Sequence, residues 1–361
     1  MERIKWWNIE LGAEEQEAVS NAIANRNIGQ GEITEKFEKA IANFLNVPYA
    51  VAVPNGTQAL SLAYMALGLK EGDEVIISNR TFVATAHAAM ILGAKVRVVD
   101  VKENQTIDEN LIEDKITNKT KLVVPVHMNG VASNMDRILE IARKYNLQVI
   151  EDACQAFGSK DSKGRYLGTI GRFGCFSLGV AKLLTTGQGG IVTAHNQEDY
   201  NLLRRIRNQG VFDVRQERNY GIRAYNFKFN DIQAAIGLVQ LKKINQKITH
   251  SRELYCSYRD MLQDKINFLN VDIENGEVPI RFIVMTKNNK DLKKYLEAMG
   301  IESSFESPSL NCCSHLGIVG KYPKSDIFDQ QMLILPSGPN QNLNNIERVG
   351  NVLHQWLEEK K

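Results

Sequence analysis

The sequence predicts an α/β protein in which a large domain with a mostly parallel sheet flanked by helices is followed by a small C-terminal α+β domain. Three observations lead to this prediction. Short apolar runs alternate with helix-like segments between residues 49 and 150, a pattern typical of parallel strands joined by right-handed crossovers. A long helical pattern then separates this part from a tail with few strand signals. The length of 361 residues suits one large domain with a smaller one, or two closely packed domains.

The elements of the large domain follow from the spacing of their apolar residues. Two helices come first, at residues 13–27 and Thr34–Leu45, with a turn at Ile28–Gly31 between them. The predicted order after them is strand Tyr49–Val53, helix Gln58–Leu69, strand Glu74–Ser78, helix Phe82–Leu92, strand Lys95–Val99, a short helix near Asn110–Ile112, strand Leu122–Val126, helix Met135–Tyr145 and strand Leu147–Ile150. Ligands of such a sheet bind at the carboxyl ends of its strands.

A long helix is predicted to connect the two domains. It begins near Ile232 and continues past Arg252, so the large domain is expected at residues 1–245, including the N-terminal helices, and the small domain at residues 246–361. The tail adds a strand-like Ile280–Val284, a helix at Asp291–Met299 and a closing helix at Asn344–Glu359. The polar stretch between Val211 and Arg223 is predicted to be a loop that is mobile or held by a partner.

The charge balance argues against several classes of partner. A formal charge of +2, from 44 basic and 42 acidic residues, provides no basic tract for nucleic acid or an anionic membrane. The N-terminal residues lack an apolar signal core, and no segment is long and uncharged enough to span a bilayer. We therefore expect a cytoplasmic protein without a nucleic-acid or membrane partner.

The cysteines and histidines do not form a recognisable metal or disulfide pattern. The five cysteines are odd in number and lack C-x-x-C spacing, so they are expected to be reduced thiols. The six histidines are scattered and do not form an H-E-x-x-H pair. The sequence therefore predicts no metal site.

Lys182 lies between an apolar run that ends in a serine and a cluster of three glycines, Gly187, Gly189 and Gly190. Its neighbours are mostly apolar, and no carboxylate lies within several residues. A buried amine in such surroundings has a lowered pKa and can attack a carbonyl. Taken alone, the segment favours instead a lysine that extends to solvent from a sheet edge beside a glycine-rich turn.

Two further segments could form a site at the strand ends. Gly56 and Thr57 follow a predicted strand and open a helix, where free backbone N–H groups and the helix dipole favour an anion; Gly56 could instead only permit a tight turn. Asp152 follows another strand among apolar neighbours and would need a cationic partner to remain charged. A helix N-cap is the alternative explanation for Asp152.

Together these residues supply what pyridoxal 5'-phosphate (PLP) requires. The cofactor needs a lysine for an imine, a carboxylate beside its pyridine nitrogen, an anion site for its phosphate and a flat group against its ring. Lys182 and Asp152 offer the first two. Gly56 and Thr57 with Ser177 offer the third, and Phe82 offers the fourth.

The chain also resembles the DegT/StrS group of sugar aminotransferases, which are fold-type I PLP enzymes of the aspartate aminotransferase superfamily, over nearly its whole length. Each matching segment is weak alone, but their order and spacing are specific. The segments are Ile28–Gly31 with Phe37-Glu38, Asn55–Leu60, Thr81–Thr85, Val126–Gly130, Glu151–Gly158, the Lys182 segment, Tyr225–Phe227 with Ala234–Leu238, and Leu335–Ser337.

The resemblance implies a role for each matching residue. Lys182 would hold PLP through a Schiff base and move the proton during transfer, Asp152 would pair with the pyridine nitrogen, and Phe82 would stack on the ring. Gln155 would bind the ring hydroxyl, while Gly56, Thr57 and Ser177 would bind the phosphate. Asn226 would reach that phosphate from a neighbouring subunit, which implies a homodimer with shared active sites. The family generally moves an amino group from glutamate to a keto sugar, often nucleotide-linked, for polysaccharide, glycoconjugate or antibiotic precursors.

Several segments depart from the family pattern, and nearly all of them lie on the substrate side. Gly179-Val180 stands where the family often has His-Pro, and Gly187-Gln188 where it often has Gly-Glu. The stretch Ile301–Ser307 lacks the usual His-Tyr. The acceptor could therefore be a nucleotide-linked keto sugar, an eight-carbon keto sugar acid or a small phosphorylated ketone.

Three other functions have less support in the sequence than transamination. Related dehydratases carry histidine at the lysine position, so Lys182 favours transamination over dehydration. A regulatory relative that binds PLP without turnover is the second alternative, although Lys182 and Asp152 are both retained. A Rossmann dehydrogenase is the third, and it lacks support because no G-x-G-x-x-G follows an early strand.

Overall fold

A computed structural model describes residues 2–360 of the chain. The helices are α1 (Ala13–Ala24), α2 (Glu32–Leu45), α3 (Gly56–Ala66), α4 (Ala84–Met90), α5 (Met135–Lys144), α6 (Gln197–Arg207), α7 (Asp231–Lys242), α8 (Ile244–Leu262), α9 (Asn289–Ala298), α10 (Pro323–Gln331) and α11 (Leu343–Glu359). The strands are β1 (Tyr49–Val53), β2 (Glu74–Ser78), β3 (Lys95–Val99), β4 (Thr120–Val124), β5 (Gln148–Asp152), β6 (Phe173–Ser177), β7 (Gly190–Ala194), β8 (Asn267–Phe268), β9 (Ile283–Met285) and β10 (Met332–Ile334).

The large sheet has seven strands in the order β1-β7-β6-β5-β4-β2-β3. Strand β7 is antiparallel to both β1 and β6, whereas the pairs among β6, β5, β4, β2 and β3 are parallel. All strands except β7 therefore run in one direction, and their carboxyl ends meet at one edge. The predicted mostly parallel sheet is confirmed.

Helices cover both faces of this sheet because its strands are apolar on both sides. Val51 and Val53 of β1 belong to the core cluster shared with α3, α4 and α6, while the alternate residues Ala50 and Ala52 belong to the cluster with α2. Farther along the sheet, Val123 of β4 packs with the buried side of α5. Because successive side chains of a strand point to opposite faces, each strand contributes apolar residues to a core on either side of the sheet.

A second, antiparallel sheet lies in the C-terminal part of the chain, in the order β10-β9-β8. Its apolar side packs with α8, α9 and α11 in a core that includes Tyr258, Phe282, Leu292, Leu333 and Leu353. This sheet with its helices fits the small α+β domain of the prediction. The division at residue 245 itself stays a prediction.

The long connecting helix is interrupted where a continuous one was predicted. Lys243 separates α7 from α8, and its ammonium group contacts Glu14 at 2.7 Å and Glu15 at 3.1 Å. Helix α7 packs on α1 and α2, whereas α8 packs on α11. The break therefore occurs where the chain passes from one packing environment to the other.

Smaller differences concern where elements begin and end. The predicted strand at Ile280–Val284 starts only at Ile283, and the strand predicted at Leu122–Val126 spans Thr120–Val124. Residues 211–223 form an irregular loop with Phe212 and Tyr220 exposed. Within residues 2–360, no helix has the length and apolarity needed to cross a membrane.

Candidate active site

A cavity of ≈ 370 Å³ lies at the carboxyl ends of the parallel strands, facing the segment that leads into β9. The predicted site residues that line it are Gly56, Thr57, Phe82, Asp152, Gln155, Ser177 and Lys182. Although these residues are distant in sequence, the fold gathers them into one place.

Lys182 lies in the loop between β6 and β7, which its own hydrogen bonds hold in shape. The Leu178 N–H donates to the Gly189 carbonyl at 2.7 Å, which closes the base of the loop. Leu183 and Leu184 follow Lys182 and are buried in the core below. These anchors leave the half-buried Lys182 side chain at the cavity wall rather than at a free sheet edge.

The surroundings of Lys182 favour its neutral amine. Burial lowers the pKa of Lys182, and the positive charge of Arg281 lowers it further. Cys154, Asp152 and Glu306 act in the opposite direction without restoring the ordinary pKa. A larger fraction of the amine is therefore unprotonated near neutral pH, which is the form that attacks a carbonyl.

Asp152 is the last residue of β5, is 4% exposed and has a carboxylate fixed by two donors. The Thr85 hydroxyl donates to Oδ2 at 2.7 Å, and the Cys154 N–H donates to Oδ1 at 3.1 Å. Turns rather than a helix follow Asp152, so the helix N-cap interpretation does not apply. A buried carboxylate that lines a cavity is suited to a cationic ligand atom.

A second buried carboxylate, Glu151, precedes Asp152 in β5 and binds the segment that leads into β6. Glu151 accepts from His127 Nε2 at 2.9 Å and from the N–H groups of Gly168 at 2.9 Å and Gly171 at 2.6 Å. His127 Nδ1 accepts from the Ser133 N–H at 3.2 Å, so the imidazole proton is on Nε2. Burial alone would raise the pKa of Glu151, but the His127 bond and these backbone donors lower it overall.

Helix α3 begins at Gly56, which lies beside Ser177 at the end of β6. Asn55 caps the helix by accepting from the Gln58 N–H at 2.9 Å, which leaves the amides of Gly56 and Thr57 without an acceptor inside the helix. A Cβ on Gly56 would lie 2.9 Å from Ser177 Cβ and 3.0 Å from Cys154 Sγ. Glycine therefore allows this close approach, beyond permitting a turn.

Gln155 is oriented by a neighbour that can only donate. The Asn129 N–H donates to Gln155 Oε1 at 2.9 Å, so the Gln155 oxygen faces the backbone and its NH₂ group is left to donate. Gln155 is buried and lines the cavity. Its free donor suits a ligand oxygen.

Phe82 and Asn226 differ in their relation to the cavity. Phe82 lines it and is 56% exposed, so one face of its ring is available to a flat ligand. Asn226 is exposed, lies outside this cavity and accepts from the Lys228 N–H at 3.3 Å through its own side chain. Its predicted contact across a subunit interface stays a prediction.

Sequence reasoning assigned no role to two charged residues of the cavity, Arg281 and Glu306. Arg281 Nη1 donates to Glu306 Oε2 at 2.7 Å, and the two side chains are only 9% and 10% exposed. The signal for Arg281 was a charge inside the apolar run at Ile280–Val284. Glu306 falls within the stretch that departs from the family pattern.

The chemistry of this set of groups fits PLP. Two backbone amides at a helix N-terminus and the Ser177 hydroxyl suit a phosphate. Asp152 suits a protonated pyridine nitrogen, and Gln155 suits the ring oxygen. Lys182 provides the amine.

Known proteins match the chain over most of its length. The model of the DegT/DnrJ/EryC1/StrS aminotransferase family matches residues 10–354. The chain is 38% identical to the GDP-perosamine synthase of Escherichia coli O157:H7 over 262 residues, or 72% of this chain and 71% of that protein. It is 30% identical to the dTDP-3-amino-3,4,6-trideoxy-alpha-D-glucose transaminase of Streptomyces venezuelae over 358 residues, or 97% of this chain and 93% of that protein.

A solved structure gives the same result for the fold. DesV of S. venezuelae, solved in complex with a ketimine intermediate, superposes with a TM-score of 0.92 at 28% sequence identity and covers 99% of both chains.

These matches confirm the predicted family, the fold-type I architecture, the aminotransferase activity and the dependence on PLP. The homodimer, the glutamate donor and the cytoplasmic location stay predictions. The chain belongs to the DegT/DnrJ/EryC1/StrS family of PLP-dependent sugar aminotransferases.

Proposed function

We propose that the protein transfers the amino group of L-glutamate to a keto sugar, and that the residues of the cavity divide this work between them. The observation that carries the proposal is that Lys182 and Asp152 line one cavity together with the N-terminus of α3. The names of the relatives favour a nucleotide-linked keto sugar as acceptor. The departures at Gly179-Val180 and Ile301–Ser307 keep a keto sugar acid and a small phosphorylated ketone as the alternatives.

The bound cofactor supplies an electron sink for the carbon that loses or gains the amino group. Lys182 would anchor it and, once released, would move the proton between the substrate carbon and the C4′ carbon of the cofactor, because its lowered pKa leaves the amine free to accept that proton. Asp152 would hold the proton at the pyridine nitrogen. Its two hydrogen bonds keep the carboxylate in place for that purpose.

The remaining residues would bind and orient. The amides of Gly56 and Thr57, with the Ser177 hydroxyl, would bind the phosphate, and Gln155 would donate to the ring oxygen. Phe82 would cover one ring face and exclude water from it. Asn226 would contribute from the partner subunit of a homodimer, which is consistent with its exposed position.

The first experiment locates the covalent attachment. The purified protein is reduced with tritiated borohydride in the presence of PLP, and the labelled residue is found by peptide mapping. We expect bleaching of the visible absorbance and label on Lys182, and a Lys182→Ala variant that binds PLP without label and does not transfer. Label on another lysine, or transfer by the variant, contradicts the assignment. An absorbance that no amino donor changes would favour a protein without turnover.

The second experiment tests the shared sites. Lys182→Ala and Asn226→Ala chains are unfolded and refolded together, so that mixed dimers form. If Asn226 serves the partner's site, each mixed dimer has one intact site, and activity returns to about a quarter of the wild-type value. If Asn226 acts within its own chain, or the protein is a monomer, mixing restores nothing.

A further inference from the structure

The Arg281–Glu306 pair forms a part of the cavity wall that the proposed chemistry leaves unused. Both side chains line the cavity, and both are about nine-tenths buried. Buried charges usually persist in proteins because they are paired or because they bind something. The geometry of this pair indicates which of the two applies.

The pair leaves part of the guanidinium unsatisfied. Arg281 contacts Glu306 through Nη1, and its buried Nε has no hydrogen-bond partner among residues 2–360. The planar guanidinium can bind a carboxylate with two parallel N–H···O bonds. The contact through Nη1 leaves Nε and Nη2 without an acceptor among the described residues. Arg80 also has an unpartnered Nε, but it does not line this cavity.

The backbone of Arg281 is fixed relative to the proposed cofactor site. Asn129 donates from Nδ2 to the Arg281 carbonyl at 2.9 Å and accepts from the Arg281 N–H at 2.8 Å. The same Asn129 donates its backbone N–H to Gln155. One buried asparagine therefore links the backbone of Arg281 to the residue proposed to bind the cofactor ring.

Glu306 is held on a segment that is anchored on both sides. Ser304 exchanges two backbone hydrogen bonds with Ile334, at 3.1 and 2.8 Å. On the other side, Arg80 Nη1 donates to the Ser307 carbonyl at 3.1 Å. Glu306 thus keeps one negative charge beside Arg281, which balances the guanidinium while the cavity holds no anion.

We propose that Arg281 is a carboxylate subsite of this cavity, binding a substrate carboxylate on its Nε–Nη2 edge while Glu306 limits how tightly that second anion is held. The inference rests on the proposed function, because an amino-acid donor carries such a carboxylate and a keto sugar acid would carry one as well. The two sources share the same chemistry. The amino-acid donor and the keto sugar acid differ in the shape of the molecule that carries the carboxylate.

The test uses unreactive probes on the PLP-loaded protein. Glutarate has the chain length of the donor without an amino group, gluconate is a sugar acid without a ketone, and sorbitol is its neutral counterpart. Isothermal titration gives the affinity of each. Tighter binding of glutarate identifies the donor as the source of the carboxylate, and tighter binding of gluconate identifies the acceptor.

Four variants test whether the affinity for the acid falls, rises or stays the same as expected. Arg281→Met should weaken the better acid at least about tenfold, a factor that corresponds to 1.4 kcal/mol. Arg281→Lys, which keeps the charge but not the two-pronged edge, should fall between Met and wild type. Glu306→Gln should bind the acid more tightly than wild type because a neighbouring negative charge is gone. Arg137→Met, which disrupts an exposed ion pair on α5, is the matched control and should change nothing.

Opposite effects at the two positions distinguish a subsite from a structural ion pair, since loss of a merely structural pair weakens binding in both variants. The inference is overturned if neither acid binds wild type, if Arg281→Met binds as wild type does, or if Glu306→Gln binds more weakly. Borohydride labelling of Lys182 in each variant is read separately. Label with unchanged acid affinity refutes the subsite alone, whereas no label in wild type refutes the proposed function.

Discussion

The cavity has two walls that are built differently. The sheet wall, formed by Gly56, Asp152, Ser177 and Lys182, consists of residues at strand ends, at the start of α3 or in a loop closed by its own hydrogen bonds. The tail wall consists of Arg281 and Glu306, which lie outside the large sheet and pair with each other while Arg281 Nε has no partner among the described residues. A fixed sheet wall suits chemistry that is common to a family. A wall with spare bonding capacity suits the selection of one substrate.

The sharpest way to test the sheet wall is to remove the charge of Asp152 while keeping its shape. Asp152→Asn should lower the transfer rate by about 10²–10³, because a preorganised charge at the reacting site contributes that much. Steady-state kinetics measure this loss, and absorbance at the same time should show that PLP remains bound. Thr85→Val, which removes the donor to Oδ2 but keeps the carboxylate, is the control and should cost much less. A rate within a few-fold of wild type for Asp152→Asn would remove Asp152 from the chemistry.

The sheet wall could be predicted from sequence because local patterns determine it. Strand β1 begins and ends as predicted, and the apolar run before Asp152 placed that residue at the end of a strand. The apolar neighbours of Lys182 and the glycines that follow allowed a reactive amine, and Asp152 together with the Gly56–Thr57 segment was needed to favour it. In each case a few consecutive residues carry both the local structure and the position of the side chain at the sheet edge.

The tail wall could not be predicted because it depends on contacts between distant segments. Arg281 lines the cavity, and its backbone is held by Asn129, which lies 152 positions away. Asn129 itself adopts a left-handed conformation with φ of 52°. No periodicity in the sequence encodes such a contact, so the pattern showed only that a charge interrupts an apolar run.

Glu151, which binds the segment beside Asp152, should contribute to the stability of the fold rather than to the rate of transfer. Glu151→Gln places an NH₂ group among backbone donors and should lower the free energy of unfolding by about 3 kcal/mol. Chemical denaturation measures this change. Glu113→Gln, at an exposed ion pair, is the control and should leave the midpoint nearly unchanged.

The same variant has a defined pH dependence. The pKa of Glu151 is depressed in the folded protein, so its contribution is present above the unfolded value of about 4.3 and is lost as the pH falls through the folded value. The difference in stability between wild type and Glu151→Gln should therefore narrow in acid. A difference that stays constant or widens in acid would mean that the carboxylate is not the stabilising form.

A smaller effect is expected where α3 meets β6. Gly56→Ala would bring a methyl group to 2.9 Å from Ser177 Cβ, and the helix end must shift to accept it. We expect a loss of about 1–2 kcal/mol of stability and weaker PLP binding, measured by thermal unfolding and by titration of the cofactor-free protein. Gly29→Ala is the control, since no atom lies within 4 Å of the Cβ it would add and Gly29 does not line the cavity. Equal effects in the two variants would show that the close approach at Gly56 is unimportant.

The smallest expected effect is a change in the pKa of Lys182, on the sheet wall, when a charge of the tail wall is removed. Arg281 lowers the pKa of Lys182 and Glu306 raises it. Cys154 and Asp152 also raise this pKa, and the variants below leave both unchanged. Arg281→Met should therefore raise the pKa of Lys182, and the pH at which PLP attaches at half its maximal rate should move upwards. Glu306→Gln should move that pH downwards, because a charge that favours the ammonium form is removed.

The measurement is the rate at which the absorbance of the Lys182–PLP bond appears after PLP is added to cofactor-free protein, followed as a function of pH. Arg137→Met again serves as the control, because its ion pair with Glu113 is outside the cavity. Shifts of opposite sign would show that the tail wall adjusts the reactivity of the sheet wall as well as contacting the substrate. If the pH of half-maximal attachment is the same in all variants, Arg281 and Glu306 act in substrate recognition alone. The sheet wall would then carry the chemistry and the tail wall the selection of substrate.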